Sequence, residues 1–343
     1  MNYLMANTAD SEIQCANPDC RIAETGKCVE GLTRETCPHF GRASEAQAAE
    51  DGEGVPESAS SGITLPAADR LSTSDAAKIL RAQDARIVAI IGPTDAGKTS
   101  LIAGLYDLFQ RGPVDGTYFA GSATLHAFER ACHDARAASG RSEPYTERTG
   151  RGGVTFYHLN LANVTAPPLA LILGDRAGEE YRSAADNVSS AAGFAEVLRA
   201  DSISILMDGR RLLDLGARHN LRSEIELMVQ ALVDGGAIQR RLPVALVLTK
   251  LDEVQASPHR ARAIADFENL LDSLRQHYGH VFVTIEPFQI AASPKTTDLP
   301  RGHGVDRLLA FWIAATAAPM IDAAEPHSVP DRAFARIDMV HDE

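Results

Sequence analysis

The chain predicts an α/β fold, a doubly wound and mostly parallel sheet with helices on both faces, preceded by a small N-terminal Cys-rich metal module. Three observations predict it. Short apolar runs alternate with helical patterns along residues 73–320, which is how parallel sheets are built. The first run, residues 86–91, leads into a glycine-bearing loop and then a helix. Of the five cysteines, Cys15, Cys20, Cys28 and Cys37 cluster near the start, with Pro18, Gly26 and Gly31 between them.

Taken in order, residues 1–40 read as the Cys-rich module and 41–72 as a flexible acidic linker, rich in Ala, Ser, Gly and Glu and without aromatics. The core spans 73–320 and a tail covers 321–343. A short amphipathic helix begins near Ser74 and Asp75, its N-cap, with Ala76, Ile79 and Leu80 on one side to pack on the sheet. The strand at 86–91 and its helix (Leu101, Ile102, Leu105, Leu108, Phe109) precede a long insertion, 113–153, which holds a helix around Thr124 to Ala135. On that helix Cys132 shares a face with Leu125, Phe128 and Ala135, the position of a buried packing residue.

The run at 154–159 alternates and reads as an edge strand, forming a hairpin with the strand at 169–174 around Ala166, Pro167 and Pro168. A strand at 203–207, a helix at about 221–232 and a strand at 244–248 follow. Next come a helix with Ile264, Phe267, Leu271 and Leu274, then a strand opening at Val281, Phe282 and Val283. The apolar stretch 308–315 is too short to span a bilayer and reads as a buried C-terminal helix.

The chemistry lies where these strands end. Gly92, Pro93, Thr94, Asp95, Ala96, Gly97, Lys98 and Thr99 fit G-x-x-x-x-G-K-[ST], with Ser100 following. Backbone N–H groups of such a loop and the helix N-terminus form a concave anion site. Lys98 would reach the β- and γ-phosphates and the Thr99 hydroxyl would hold Mg2+. The strand at 169–174 ends in Asp175, Arg176, Ala177, Gly178: Asp175 would bind Mg2+ through water, and Gly178 has no Cβ to keep its N–H from the γ-phosphate.

The strand at 244–248 runs into Thr249, Lys250, Leu251, Asp252. A carboxylate there accepts both the N1–H and the amino group of guanine. Adenine would leave it unpaired, at a cost of about 2–5 kcal/mol. The Lys250 stem would lie along the base, and a backbone N–H near Ala292 or Ser293 would meet guanine O6.

These motifs resemble those of small P-loop GTPases of the Ras-like and translation-factor-like class, over about residues 85–318. Asp175 to Tyr181 is especially similar to that class's second switch. More narrowly, the chain resembles the bacterial double-GTPase group, whose members carry a Cys-rich N-terminal segment and are associated with multi-gene conflict or defence systems. The resemblance implies GTP or GDP and Mg2+ as ligands, and slow or partner-stimulated hydrolysis. It also implies a switch acting on an effector or regulatory protein, in a class where dimers across the switches are common. It calls for a Thr ahead of the second strand to complete the Mg2+ shell, Thr149 by preference and Thr146 second. Where Ras-like members orient water with Gln, this chain has Glu179. Arg148, Arg151 and Arg176 are further cations able to stabilise transition-state charge. A GTP-loaded scaffold with little hydrolysis is the second reading, and a P-loop kinase or ATPase, in which Asp252 has no role, is the third.

In a reducing cytoplasm clustered cysteines favour metal over disulfides, so Cys15, Cys20, Cys28 and Cys37, or three of them with His39, are expected to hold structural Zn2+. Their spacing is wider than that of paired C-x2-C knuckles. The net charge of −13 argues against nucleic acid and against an anionic membrane surface. The polar opening, Met1 to Glu12, has no signal-peptide pattern, and a bacterial-type cytoplasm is expected.

Overall fold

Seven strands form the central sheet of this computed structural model, which describes residues 68–135, 153–295, 298–315 and 318–319. The described residues belong to one compact unit, Pro66–Glu343. In chain order the elements are α1 (Thr73–Ala82), β1 (Ala85–Ile91), α2 (Lys98–Arg111), β2 (Thr117–Gly121) and α3 (Leu125–Ala135). The hairpin β3 (Thr155–Asn163) and β4 (Leu169–Asp175) leads to α4 (Gly178–Asp186), a 3-10 turn (Val188–Gly193) and α5 (Ala195–Leu198). Then come β5 (Ser202–Asp208), α6 (Gly209–Leu213), α7 (Ala217–Asp234), β6 (Arg240–Arg241) and β7 (Pro243–Thr249). The chain continues through α8 (Leu251–Ala256), α9 (Arg260–Tyr278), β8 (Thr284–Gln289), α10 (Val305–Ala314) and β9 (Ala318–Pro319).

The strand order is β2-β3-β4-β1-β5-β7-β8; β1 runs parallel to β4 and β5, β7 runs parallel to β5 and β8, and only β3 pairs antiparallel with β2 and β4. The central strands are apolar because both faces are covered. Val88 and Ile90 of β1 join the core beneath α2, α3 and α10; Ala89 and Ile91 join the core beneath α7 and α9. A smaller cluster packs Ala76 of α1 against Ile87, Phe156 and Ile172, as its amphipathic pattern predicts. In α10 the buried Trp312 donates its indole N–H to Ser204 at 2.8 Å, anchoring the helix to β5.

Three expectations are corrected. β3 is not an edge strand: β2, from within the 113–153 insertion, pairs with residues 160–163 on its outer side, Leu71 pairs with Phe156 there, and Phe156, Tyr157, His158 and Leu159 are all buried. The N-cap of α1 is Ser72, whose hydroxyl accepts from the Asp75 N–H at 3.2 Å. Val281 and Phe282 are buried core residues of a turn closed on the Tyr278 carbonyl, and the strand starts only at Thr284. Cys132 is fully buried beside Phe128 as expected, while Leu125 is largely exposed.

Candidate functional site

The sequence motifs meet at one edge of the sheet. Residues 92–97 follow the end of β1, Asp175 ends β4, Thr249 ends β7, and Ala292 and Ser293 follow β8. All lie at carboxyl ends of parallel strands, the edge where open α/β sheets bind ligands.

The loop after β1 is shaped for an anion. Gly97 takes φ 93° immediately before α2, a left-handed conformation that glycine adopts without strain. Lys98, Thr99 and Ser100 form the first turn of α2, whose N-terminal amides carry partial positive charge. The Lys98 ammonium is buried and donates to the carbonyls of Gly92 and Pro93 at 3.0 and 3.1 Å. Burial pushes its pKa below the usual lysine range, opposed by the nearby charges of Asp175, Glu179 and Asp95. A buried cation held by two backbone carbonyls is positive charge available to a phosphate chain. Asp175, fully buried and close enough to act on Lys98, and Thr99, in the first turn of α2, carry hard oxygen atoms of the kind Mg2+ prefers.

Gly178 is where β4's exit touches this loop. A Cβ built there would lie 2.5 Å from the Thr94 nitrogen and 2.6 Å from the Pro93 carbonyl carbon. Only glycine permits that approach. Glu179 and Glu180 occupy the first turn of α4, where acidic groups favour the helix dipole.

Arg176 does not face the loop as a loose cation. Its guanidinium lies 4.3 Å above the Phe194 ring and donates twice to the buried Glu196, at 2.6 and 3.0 Å. It also pairs with Glu180, and the Tyr181 hydroxyl donates to Glu196 at 2.9 Å. These charge-assisted contacts raise the Arg176 pKa against the effect of burial.

At the other end of the site, the Thr249 hydroxyl donates to the Ala96 carbonyl at 2.9 Å. Lys250 is left-handed, φ 54°, and its ammonium pairs at 2.8 Å with the buried Asp208. Asp252, in the first turn of α8, accepts from the Lys295 N–H at 2.8 Å through Oδ2. That contact ties the loop bearing Ala292 and Ser293 to the Asp252 carboxylate.

Sequence reasoning missed Asp208, Glu196 and Arg70. Asp208 had a signal, an aspartate closing an apolar strand as Asp175 does. Glu196, set among apolar neighbours, and Arg70, in a polar stretch, have no pattern to mark them. Thr146, Thr149, Arg148 and Arg151 lie outside the described residues, as do Cys15, Cys20, Cys28, Cys37 and His39. Among the described residues no group of three or more His, Cys, Asp or Glu is placed to hold a metal, and no helix is long and apolar enough to cross a membrane.

A family model, Double-GTPase 2, matches residues 86–313, well over half of the chain and all four motifs. The chain belongs to the Double-GTPase 2 family. Membership makes it a GTP-binding protein, and the matched region begins within β1 and ends within α10. No curated protein matches it. Among solved structures it is similar to the signal recognition particle receptor SRb-GTP/SRX complex from Chaetomium thermophilum, at 16% identity and a TM-score of 0.36, over 66% of this chain and 96% of that chain.

Proposed function

We propose that this Double-GTPase 2 member is a Mg2+-dependent GTPase that acts as a molecular switch on a partner protein. The observation carrying the proposal is the Thr249–Ala96 hydrogen bond, which couples the phosphate-type loop to the segment bearing Asp252. One ligand with a triphosphate at one end and a purine at the other fits both parts. In this reading residues 92–100 bind the phosphates, and Asp252, Lys250, Ala292 and Ser293 bind the guanine. With Asp208 gripping its ammonium, Lys250 would present its stem to the base.

Thr99 and Asp175 would hold Mg2+, with Thr149 completing its shell; bound there, the ion supplies charge neutralisation between the β- and γ-phosphates. Lys98 would release its loop carbonyls for phosphate oxygens. The Gly178 N–H would meet the γ-phosphate, and Glu179 would orient water less well than Gln, because a carboxylate near phosphate adds repulsion. Hydrolysis is therefore slow or partner-stimulated. Release of the γ-phosphate would free the segments around 140–153 and 175–185, changing the surface offered to an effector.

Binding of fluorescent GDP and ADP to the purified protein tests the reading, together with chromatography of any nucleotide carried through purification. Equal affinity for the two nucleotides would refute the guanine assignment. Glu179 also favours a second reading, a GTP-loaded scaffold with little turnover. Single-turnover hydrolysis that is unmeasurable with or without partners would establish it. Four sequence-based proposals stand beside these: Zn2+ on the N-terminal cysteines, a cytoplasmic location, dimerisation across the switches, and service in a conflict system. Elemental analysis of protein purified without chelators tests the first.

A further inference from the structure

The segment just ahead of α1 is built into the nucleotide-side edge of the sheet. Leu71 exchanges both backbone hydrogen bonds with Phe156 of β3, at 2.8 and 3.0 Å, and the Ala68 carbonyl accepts from the Ala127 N–H of α3 at 3.1 Å. Ala68 holds φ 56°, a left-handed conformation that a non-glycine residue adopts only under constraint from its surroundings. Between these two pinned positions Arg70 extends to Asp175, its Nη1 3.7 Å from Oδ2. The Asp175 side chain is fully buried and that of Arg70 is 28% exposed, so water screens the pair only in part.

We propose that Arg70 is a positioning residue that opposes Mg2+ at Asp175 and so sets the metal dependence of nucleotide binding. The inference rests on the nucleotide reading above, in which Asp175 faces the metal. A guanidinium beside that carboxylate satisfies part of its charge and repels a dication brought to the same group. Metal loading then weakens the Arg70–Asp175 pair, and the pair weakens metal loading, by the same factor. The segment at 68–71 thereby senses whether the metal-nucleotide is in place.

The test is the Mg2+ concentration giving half-maximal binding of a fluorescent GDP analogue, measured in metal-buffered solution on the full chain and on Arg70→Gln, Arg70→Ala and Arg70→Lys. Neutral replacements are expected to lower that concentration about fivefold, with Arg70→Lys staying near the parent. An unchanged or raised Mg2+ requirement in both neutral variants overturns the inference. So does a loss of GTP affinity without loss of GDP affinity, which would make Arg70 a γ-phosphate ligand instead. If the parent chain binds no guanine nucleotide at any Mg2+ concentration, the nucleotide reading itself fails and this inference falls with it.

Discussion

The Thr249 hydroxyl donates to the Ala96 carbonyl across a sequence gap of 153 residues, closing the end of β7 onto the loop after β1. Replacing it with Val keeps the shape but leaves a buried carbonyl without that donor, at about 1–2 kcal/mol. Thr249→Val is expected to weaken GDP binding about tenfold. Equilibrium titration with the fluorescent nucleotide measures it, and circular dichroism checks that the fold is kept.

Gly178→Ala forces a methyl into the backbone of Pro93 and Thr94. Overpacking of this kind costs about 1–3 kcal/mol, so the melting temperature should fall by roughly 3–8 °C. The displaced loop should also slow single-turnover hydrolysis. A variant with the parent's melting curve and rate would mean that the two segments separate freely.

Asp252→Asn tests the base assignment without loosening the neighbouring loop, because the Asn oxygen can still accept the Lys295 N–H. Its amide offers a donor where guanine requires an acceptor. Guanine preference should drop by about 2–5 kcal/mol, and xanthine nucleotides, with a carbonyl at C2, should gain in its place. Competition between GDP and xanthosine diphosphate reads this out.

Glu196→Gln leaves the Arg176 guanidinium buried without its main counter-charge. The expected cost is roughly 3 kcal/mol, the lower end for a broken buried pair because Glu180 still touches Arg176. Glu180→Gln, at a carboxylate that is partly exposed, should cost less than about 1 kcal/mol. Urea denaturation of both variants distinguishes the two contributions.

Acid should destabilise the protein through His158. Its Nδ1 accepts from the Ala123 N–H at 3.0 Å, which leaves Nε2 to donate to Asn160 at 3.1 Å, so the ring is held neutral. Burial lowers its folded pKa below the unfolded value near 6.5. The unfolded chain therefore takes up the proton first, and stability present above about pH 6.5 declines as pH falls towards the folded value. Denaturation midpoints between pH 7.5 and pH 5, compared with His158→Gln, should show a flatter dependence in the variant (roughly, on the linkage relation).

Much of this was legible because the informative residues are local in sequence. An apolar strand followed at once by its loop and helix needs no tertiary knowledge, and residues 92–99, 175–178 and 249–252 all stand in that setting. Legibility failed where a partner arrives from elsewhere in the chain. The outer neighbour of residues 160–163 of β3 is the five-residue strand Thr117–Gly121, too short to announce itself. Glu196 meets Arg176 only because α5 returns beneath β4, where Gly174 leaves room for the glutamate stem. Nothing in the spacing of Arg70 points to Asp175; the Leu71–Phe156 and Ala68–Ala127 contacts on either side of it bring them together.

The burial of Arg176 has a consequence for tempo. An arginine clamped between an aromatic ring and two glutamates is committed to architecture and cannot swing out to steady a departing phosphate. Charge for that purpose has to come from some other position or from a visiting protein. If a visiting protein supplies it, control over how long the loaded form lasts would rest with that visitor, and evolution could retune the timer there while leaving the domain's interior untouched.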